Sequence, residues 1–145
     1  MPRRKKSKPS PLPTHLLDTN VILRYLIGDD VSLSARALGM MERVELGTEV
    51  VIITEEVLTE SVWTLESFYQ VPRTEIAERL TALLSIAGVQ TSSSAVYLQA
   101  LQFYSAGTAD FVDCLLAARG KLGDIPIYTF DQTDFKKLPV SWDRP

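Results

Sequence analysis

The chain predicts an α/β fold with a mainly parallel sheet covered on both faces, and three observations carry that expectation. Short apolar runs of strand length alternate with longer stretches that repeat apolar residues at helical spacing. That alternation is the pattern of a parallel sheet whose crossovers are helices. Acidic residues stand directly after the strand-like runs, at the edge where such sheets bind ligands.

The elements follow in order. Residues 14–17 form the first strand, and a helix over 20–27 follows it. A second helix, 32–46, opens with Ser32 as its N-cap. Residues 50–54, rich in β-branched side chains, make the second strand. Helices over 55–69 and 73–87 are separated by Val71-Pro72, with Pro72 at a helix start where its missing N–H costs little. Residues 88–91 read as a weaker strand. Helices over 93–105 and 110–122 are parted at Gly107, and 125–130 is the last apolar strand. Gly88 and Gly123 stand where helix C-caps are expected. No Gly-rich phosphate loop and no internal repeat is visible.

Length fits one domain, expected over 14–145, preceded by a basic tail, 1–13, with four prolines and no apolar run that reads as disordered. The net charge of −3 hides an asymmetry. Five of the 15 basic residues lie in the first eight positions, where there is no acid, leaving 10 against 18 acids, or −8, for the rest. A strongly acidic globule suits a protein that gathers divalent cations and lets them meet phosphate. The tail lacks the apolar core of a secretory signal, and no stretch has the length of a membrane span, so a cytoplasmic protein is expected. One cysteine and one histidine exclude a disulfide framework and a Cys/His metal cage. Any metal must be held by oxygen, which favours Mg2+ or Mn2+.

Four acids stand out. Asp18, in Leu17-Asp18-Thr19-Asn20, can cap the next helix, but Thr19 and Asn20 can do so equally. Glu60 lies off the centre of the apolar stripe made by Val57, Leu58, Val62, Leu65, Phe68 and Tyr69, on the side of Trp63. Asp110 and Asp113 are three apart at a helix start, where an N-cap and a first-turn acid are also ordinary. Asp113, however, enters the all-round apolar run Cys114-Leu115-Leu116-Ala117-Ala118, which should be buried. Cys114 reads as a small core residue rather than a nucleophile. Asp131 ends a strand and opens a polar turn, with Asp134 as a second acid that can cap the segment before Leu138. Each acid has a plain structural alternative; jointly they gather at one sheet edge.

These four segments, in this order and spacing, resemble the motifs of the PIN-domain nucleases: Leu17-Asp18-Thr19-Asn20-Val21, Leu58-Thr59-Glu60-Ser61-Val62-Trp63, Asp110-Phe111-Val112-Asp113-Cys114 and Thr129-Phe130-Asp131. The resemblance runs from about His15 to the C-terminus and points to the toxin branch of VapBC toxin–antitoxin modules, although the basic tail departs from it. It implies a three-layer α/β/α sandwich around a five-stranded parallel sheet, RNA cleavage with Mg2+ or Mn2+, inhibition by a small cognate antitoxin, and a homodimer. It places metal ligation or ligand orientation on Asp18, Glu60, Asp113 and Asp131. Asp110 matches an auxiliary acid, and Asn20 and Thr129 match small polar residues that orient the acids. Arg24, Arg36, Arg43, Arg73 and Arg119 are candidates for a phosphate-binding rim. Leu33, Leu38, Met40 and Met41 are candidates for a dimer contact or for the core.

Beside a purely structural α/β domain whose acids are only caps, two rival readings remain. One is a PIN-like RNA-binding or protein-docking module without catalysis, against which the intact acids speak. The other is a phosphatase acting through an aspartyl-phosphate, which needs a second Asp two residues after the first. Asn20 occupies that position.

Overall fold

The structure is a computed structural model and describes residues 11–145; the expectation for the ten residues before them lies outside the described residues. Strand β1 (Thr14–Leu16) leads through buried Leu17 into helix α1 (Thr19–Ile27). Gly28 ends α1 with φ of 70°, a left-handed conformation that glycine adopts without strain. Helix α2 (Val31–Glu45) follows. Its N-cap is Asp30, whose side chain accepts the Leu33 N–H at 2.8 Å, rather than the expected Ser32. A charged carboxylate at Asp30 supplies the stronger acceptor.

Strand β2 (Val50–Ile52) lies between β1 and β3 (Val89–Gln90), all parallel, with Thr14 opposite Val50 and Val51 opposite Val89. Helices α3 (Glu55–Ser67) and α4 (Arg73–Leu84) connect β2 to β3. The pairing reaches one residue ahead of β1, where the Pro13 carbonyl accepts the Val50 N–H. After β3 come α5 (Ser94–Ala106), α6 (Phe111–Gly123), β4 (Ile127–Tyr128), the four-residue α7 (Gln132–Phe135) and β5 (Trp142–Asp143). The result is the three-layer α/β/α sandwich, its five described strands hydrogen-bonded as a group of three and a parallel pair, β4 with β5.

Several expectations are corrected. The strand expected over 125–130 is shortened to Ile127–Tyr128, with one further ladder bond from the Thr129 N–H to the Asp143 carbonyl, because its first residues serve α6 instead. Ile125 donates its N–H to the Gly120 carbonyl, and Pro126 has no N–H to give a ladder. Gly88 is not a C-cap: α4 ends at Ser85, and a side chain on Gly88 would stand 2.7 Å from Val44 Cγ1. Gly123 is the last residue of α6, and Asp124, at φ 51°, takes the left-handed cap. Phe68 falls off the buried stripe of α3, being the residue after the helix and 74% exposed, while Leu58, Ser61, Val62 and Leu65 are buried.

One continuous core runs through both strand groups, from Ile22 and Met41 through Val51, Ile53, Leu58 and Leu65 to Tyr97, Tyr104, Cys114 and Phe135. Met41 therefore belongs to the core, while Leu33 and Leu38 are exposed. The buried Glu49 carboxylate is neutralised by Arg43 at 2.8 Å and met by His15 at 3.2 Å, which accounts for the lone histidine. No described helix is long and apolar enough to cross a membrane.

Gly120 decides how closely the chain can cross α6. A Cβ there would lie 2.7 Å from both the Ile125 carbonyl oxygen and Val140 Cγ2, so its hydrogen lets the chain pass close over the helix into β4. Gly120→Ala is expected to lower stability by about 1–3 kcal/mol, the range for overpacking. Urea melts of the two proteins check this, and an unchanged midpoint would count against it.

Candidate active site

Asp18 stands at the β1–α1 junction with extended backbone, exposed, and its side chain makes no capping bond. Its backbone carbonyl does the capping work instead, accepting the Val21 N–H at 3.1 Å. The carboxylate is thus left free by the local fold. The next residue, Thr19, is buried and donates its hydroxyl to Glu60 Oε2 at 2.9 Å. That bond ties the end of β1 to the second turn of α3. Glu60 itself is exposed and lines a cleft of about 560 Å³ between α3 and α6, with Glu55, Glu56, Thr59, Trp63, Val112 and Leu115.

The second half of the site is built by α6 and α7. Asp110 is the N-cap of α6 and accepts the Asp113 N–H at 3.0 Å, which places Asp113 one turn into a helix whose next residue is fully buried. Asp131 follows β4. Its N–H is held by the Thr129 hydroxyl oxygen at 2.9 Å, and its carboxylate caps α7 by accepting from Thr133 and Asp134. Carboxylate oxygens of Asp113, Asp131 and Asp134 come within 4.8 Å of one another.

Bringing these charges together has a cost that the structure displays. The Asp113 carboxyl is pushed up to about 6, first by burial and then by the charges of Asp110, Asp134 and Asp131. The positive end of α6 favours its ionised form, but by too little to prevail. All the donors are carboxylate oxygens, a set suited to a hard divalent cation, and such a charge offsets both the burial and the neighbouring charges that raise Asp113.

The structure thus joins Asp113 to Asp131 and links Asp18 to Glu60 through the neighbouring Thr19. Asp18 and Glu60 are not part of the three-carboxylate group. Asn20 is exposed, lines a separate cleft with Arg24, Arg36 and Met40, and among the described residues makes no hydrogen bond to an acid. The sequence offers Asp134 as a second acid beside Asp131 and as a helix cap; Asp131 takes the cap and Asp134 joins the cluster. Its spacing of three from Asp131 at a helix start is the available signal. The expected arginine rim is largely engaged within the protein. Arg24 pairs with Asp29, Arg43 with Glu49, Arg119 with Glu55 and Arg73 with Glu66, leaving Arg36 alone without an acidic partner among the described residues.

The sequence model of the PIN domain family matches residues 15–140, a span that holds both halves of this site. The chain belongs to the PIN-domain family. Among curated relatives, this PIN domain is similar to a VapC ribonuclease of Aquifex aeolicus (strain VF5), 30% identical over 131 residues, or 90% of this chain and 96% of that one. Among solved structures it matches, at 14% identity and a TM-score of 0.34, a chain in VapBC2 from Rickettsia felis bound to a promoter DNA fragment, over 91% of this chain and 98% of that one.

The raised Asp113 carboxyl has a stability consequence in the ion-free PIN domain. The folded protein holds this proton more tightly than the unfolded chain, whose Asp titrates near 4. The stabilisation is complete below about pH 4 and is lost as pH rises through about 6. Asp113→Asn, which cannot ionise, is therefore expected to melt several degrees higher than the parent at pH 7.5 in EDTA, with the gap closing towards pH 4. A gap that widens on acidification would contradict this.

Proposed function

We propose that the chain is a metal-dependent ribonuclease, the toxin of a type II toxin–antitoxin pair, that hydrolyses RNA phosphodiester bonds at this carboxylate site. The observation that carries the reading is the convergence of Asp113, Asp131 and Asp134 within 4.8 Å. The curated relative, named a VapC ribonuclease and matched over nearly its whole length, supports the substrate class and the toxin assignment.

Asp113 and Asp131, with Asp134 beside them, would hold Mg2+ or Mn2+, and Asp18 and Glu60 complete the set of acids facing the substrate. A divalent ion bound there supplies a water made acidic enough to ionise near neutral pH and a positive charge against the phosphate. The chain's own residues supply position. Thr19 fixes one oxygen of Glu60, Asp110 fixes the turn that presents Asp113, and Thr129 fixes the backbone at Asp131. Asp113 must lose its proton to serve as a ligand, so ion affinity is expected to weaken as pH falls below about 6. No histidine or thiol competes for the role of nucleophile: His15 pairs with Glu49, and Cys114 is buried with its thiol pushed up to about 12 by desolvation. In this reading the protein acts in the cytoplasm, a small cognate antitoxin restrains it, and it works as a homodimer.

Mixed-sequence RNA incubated with the protein and Mg2+ or Mn2+ tests this, beside EDTA controls and the Asp18→Asn and Asp113→Asn variants. Cleavage is expected to need the ion and to fall at least about a hundredfold in each variant, because even outer partners of metal ligands are worth about 10–100-fold. Cleavage that persists in EDTA would overturn the reading. No cleavage under any condition, together with no Mn2+ binding by calorimetry, would favour a non-catalytic RNA-binding or docking module. Thr19→Val is expected to cost roughly tenfold in kcat and Thr19→Ser little, since only the first removes the donor to Glu60.

A further inference from the structure

Arg73 is the first residue of α4, yet its guanidinium serves the junction between α5 and α6. Nε donates to the Tyr104 carbonyl at 3.0 Å, one Nη donates to the Ala109 carbonyl, and the other donates to Glu66 at 3.4 Å. The guanidinium carbon sits 3.7 Å from the centre of the Tyr104 ring, and the Tyr104 hydroxyl donates to the second Glu66 oxygen at 2.7 Å. Only a planar fork with several N–H groups reaches two carbonyls and a carboxylate at once; an ammonium does not. The charge itself is absorbed by Glu66 and the Tyr104 ring.

The Ala109 carbonyl is the informative partner. It precedes the α6 ladder, whose first acceptor is the Asp110 carbonyl bonded to the Cys114 N–H. Besides Arg73, it receives only the weak Cys114 thiol at 3.8 Å among the described bonds. The peptide it belongs to leads directly into Asp110, and Asp110 in turn holds the Asp113 N–H. We propose that Arg73 is a positioning residue for the carboxylate site: by gripping the Ala109 carbonyl it sets the start of α6, and so where Asp110 and Asp113 stand against Asp131 and Asp134. The consequence for metal binding rests on the function proposed above; the positioning does not.

Two readouts on the full chain separate these. In Arg73→Lys, amide hydrogen exchange at Asp113 and Cys114 is expected to quicken about tenfold relative to the amides of α3, the size of one lost charge-assisted bond. Mn2+ affinity by calorimetry is expected to fall about tenfold, as for the loss of an outer partner. Arg73→Met, which removes the charge and every donor, should exceed Arg73→Lys in both. Tyr104→Phe removes the bond to Glu66 but leaves both carbonyl bonds, so it should lower the melting temperature and leave both readouts unchanged. Uniform or unchanged exchange in the Arg73 variants, or an equal effect in Tyr104→Phe, overturns the proposal by reducing Arg73 to general packing. A parent protein that binds no Mn2+, with Asp113 still loosened by Arg73→Lys, sustains the positioning and sinks the metal-site reading instead.

Discussion

Repulsion among the carboxylates of Asp110, Asp113, Asp131 and Asp134 is the force that the C-terminal third of the chain has to contain. At an effective dielectric of about 20, two charges some 5 Å apart repel by about 3 kcal/mol, whereas a helix N-terminus returns about 0.3–1 kcal/mol to each acid. Backbone donors offset part of the difference: Asp110 holds the Asp113 N–H, and Asp131 holds those of Thr133 and Asp134. The remainder adds to the larger effect of burial in raising the Asp113 carboxyl to about 6. Such a cluster persists only if its supports cannot move apart. The close pass of Ile125 over Gly120 and the grip of Arg73 on Ala109 are two such supports, one at each end of α6.

The N-terminal half of the site is fixed by a different means. Asp18 is free because its backbone, not its side chain, begins α1, and Thr19 is spent on Glu60 rather than on a cap. A buried hydroxyl must find a partner, so the Thr19–Glu60 bond is enforced by the core around it. Packing of α3 on α6 then brings Glu60 and the start of α6 to opposite walls of one cleft. The site is therefore the meeting of two separately anchored pieces, and its precision depends on the core between them.

Much of this was legible in the sequence. The alternation of strands and helices and the acids at strand ends follow from periodicity and residue type, which act locally, while the order of the four motifs is legible through the family resemblance. What escaped depends on particular contacts, near or far along the chain, that periodicity does not encode. The two-residue β5 is too short to show any period, and Ile125 is drawn out of its strand by Gly120, five residues earlier. Gly88 looks like a helix terminator but is required by the proximity of Val44. Arg73 has the sequence context of a surface helix start, and nothing local reveals that it turns towards the Ala109 carbonyl, 36 residues away. Asp134 is visible as an acid, but its choice between capping and clustering is settled by Asp131 taking the cap.

The distribution of arginines bears on how such a site would meet an anion. Residues after the eighth carry an excess of eight negative charges, and four of the five candidate rim arginines are committed to acids inside the fold. Their fields are largely cancelled at distances beyond the Debye length of about 8 Å. Among these rim arginines phosphate therefore finds only Arg36 uncommitted, and on the proposed reading the attraction at the carboxylates themselves comes from the ions. That couples binding to chemistry: an ion-free site repels the substrate, and the same charge that neutralises the carboxylates makes the phosphate welcome.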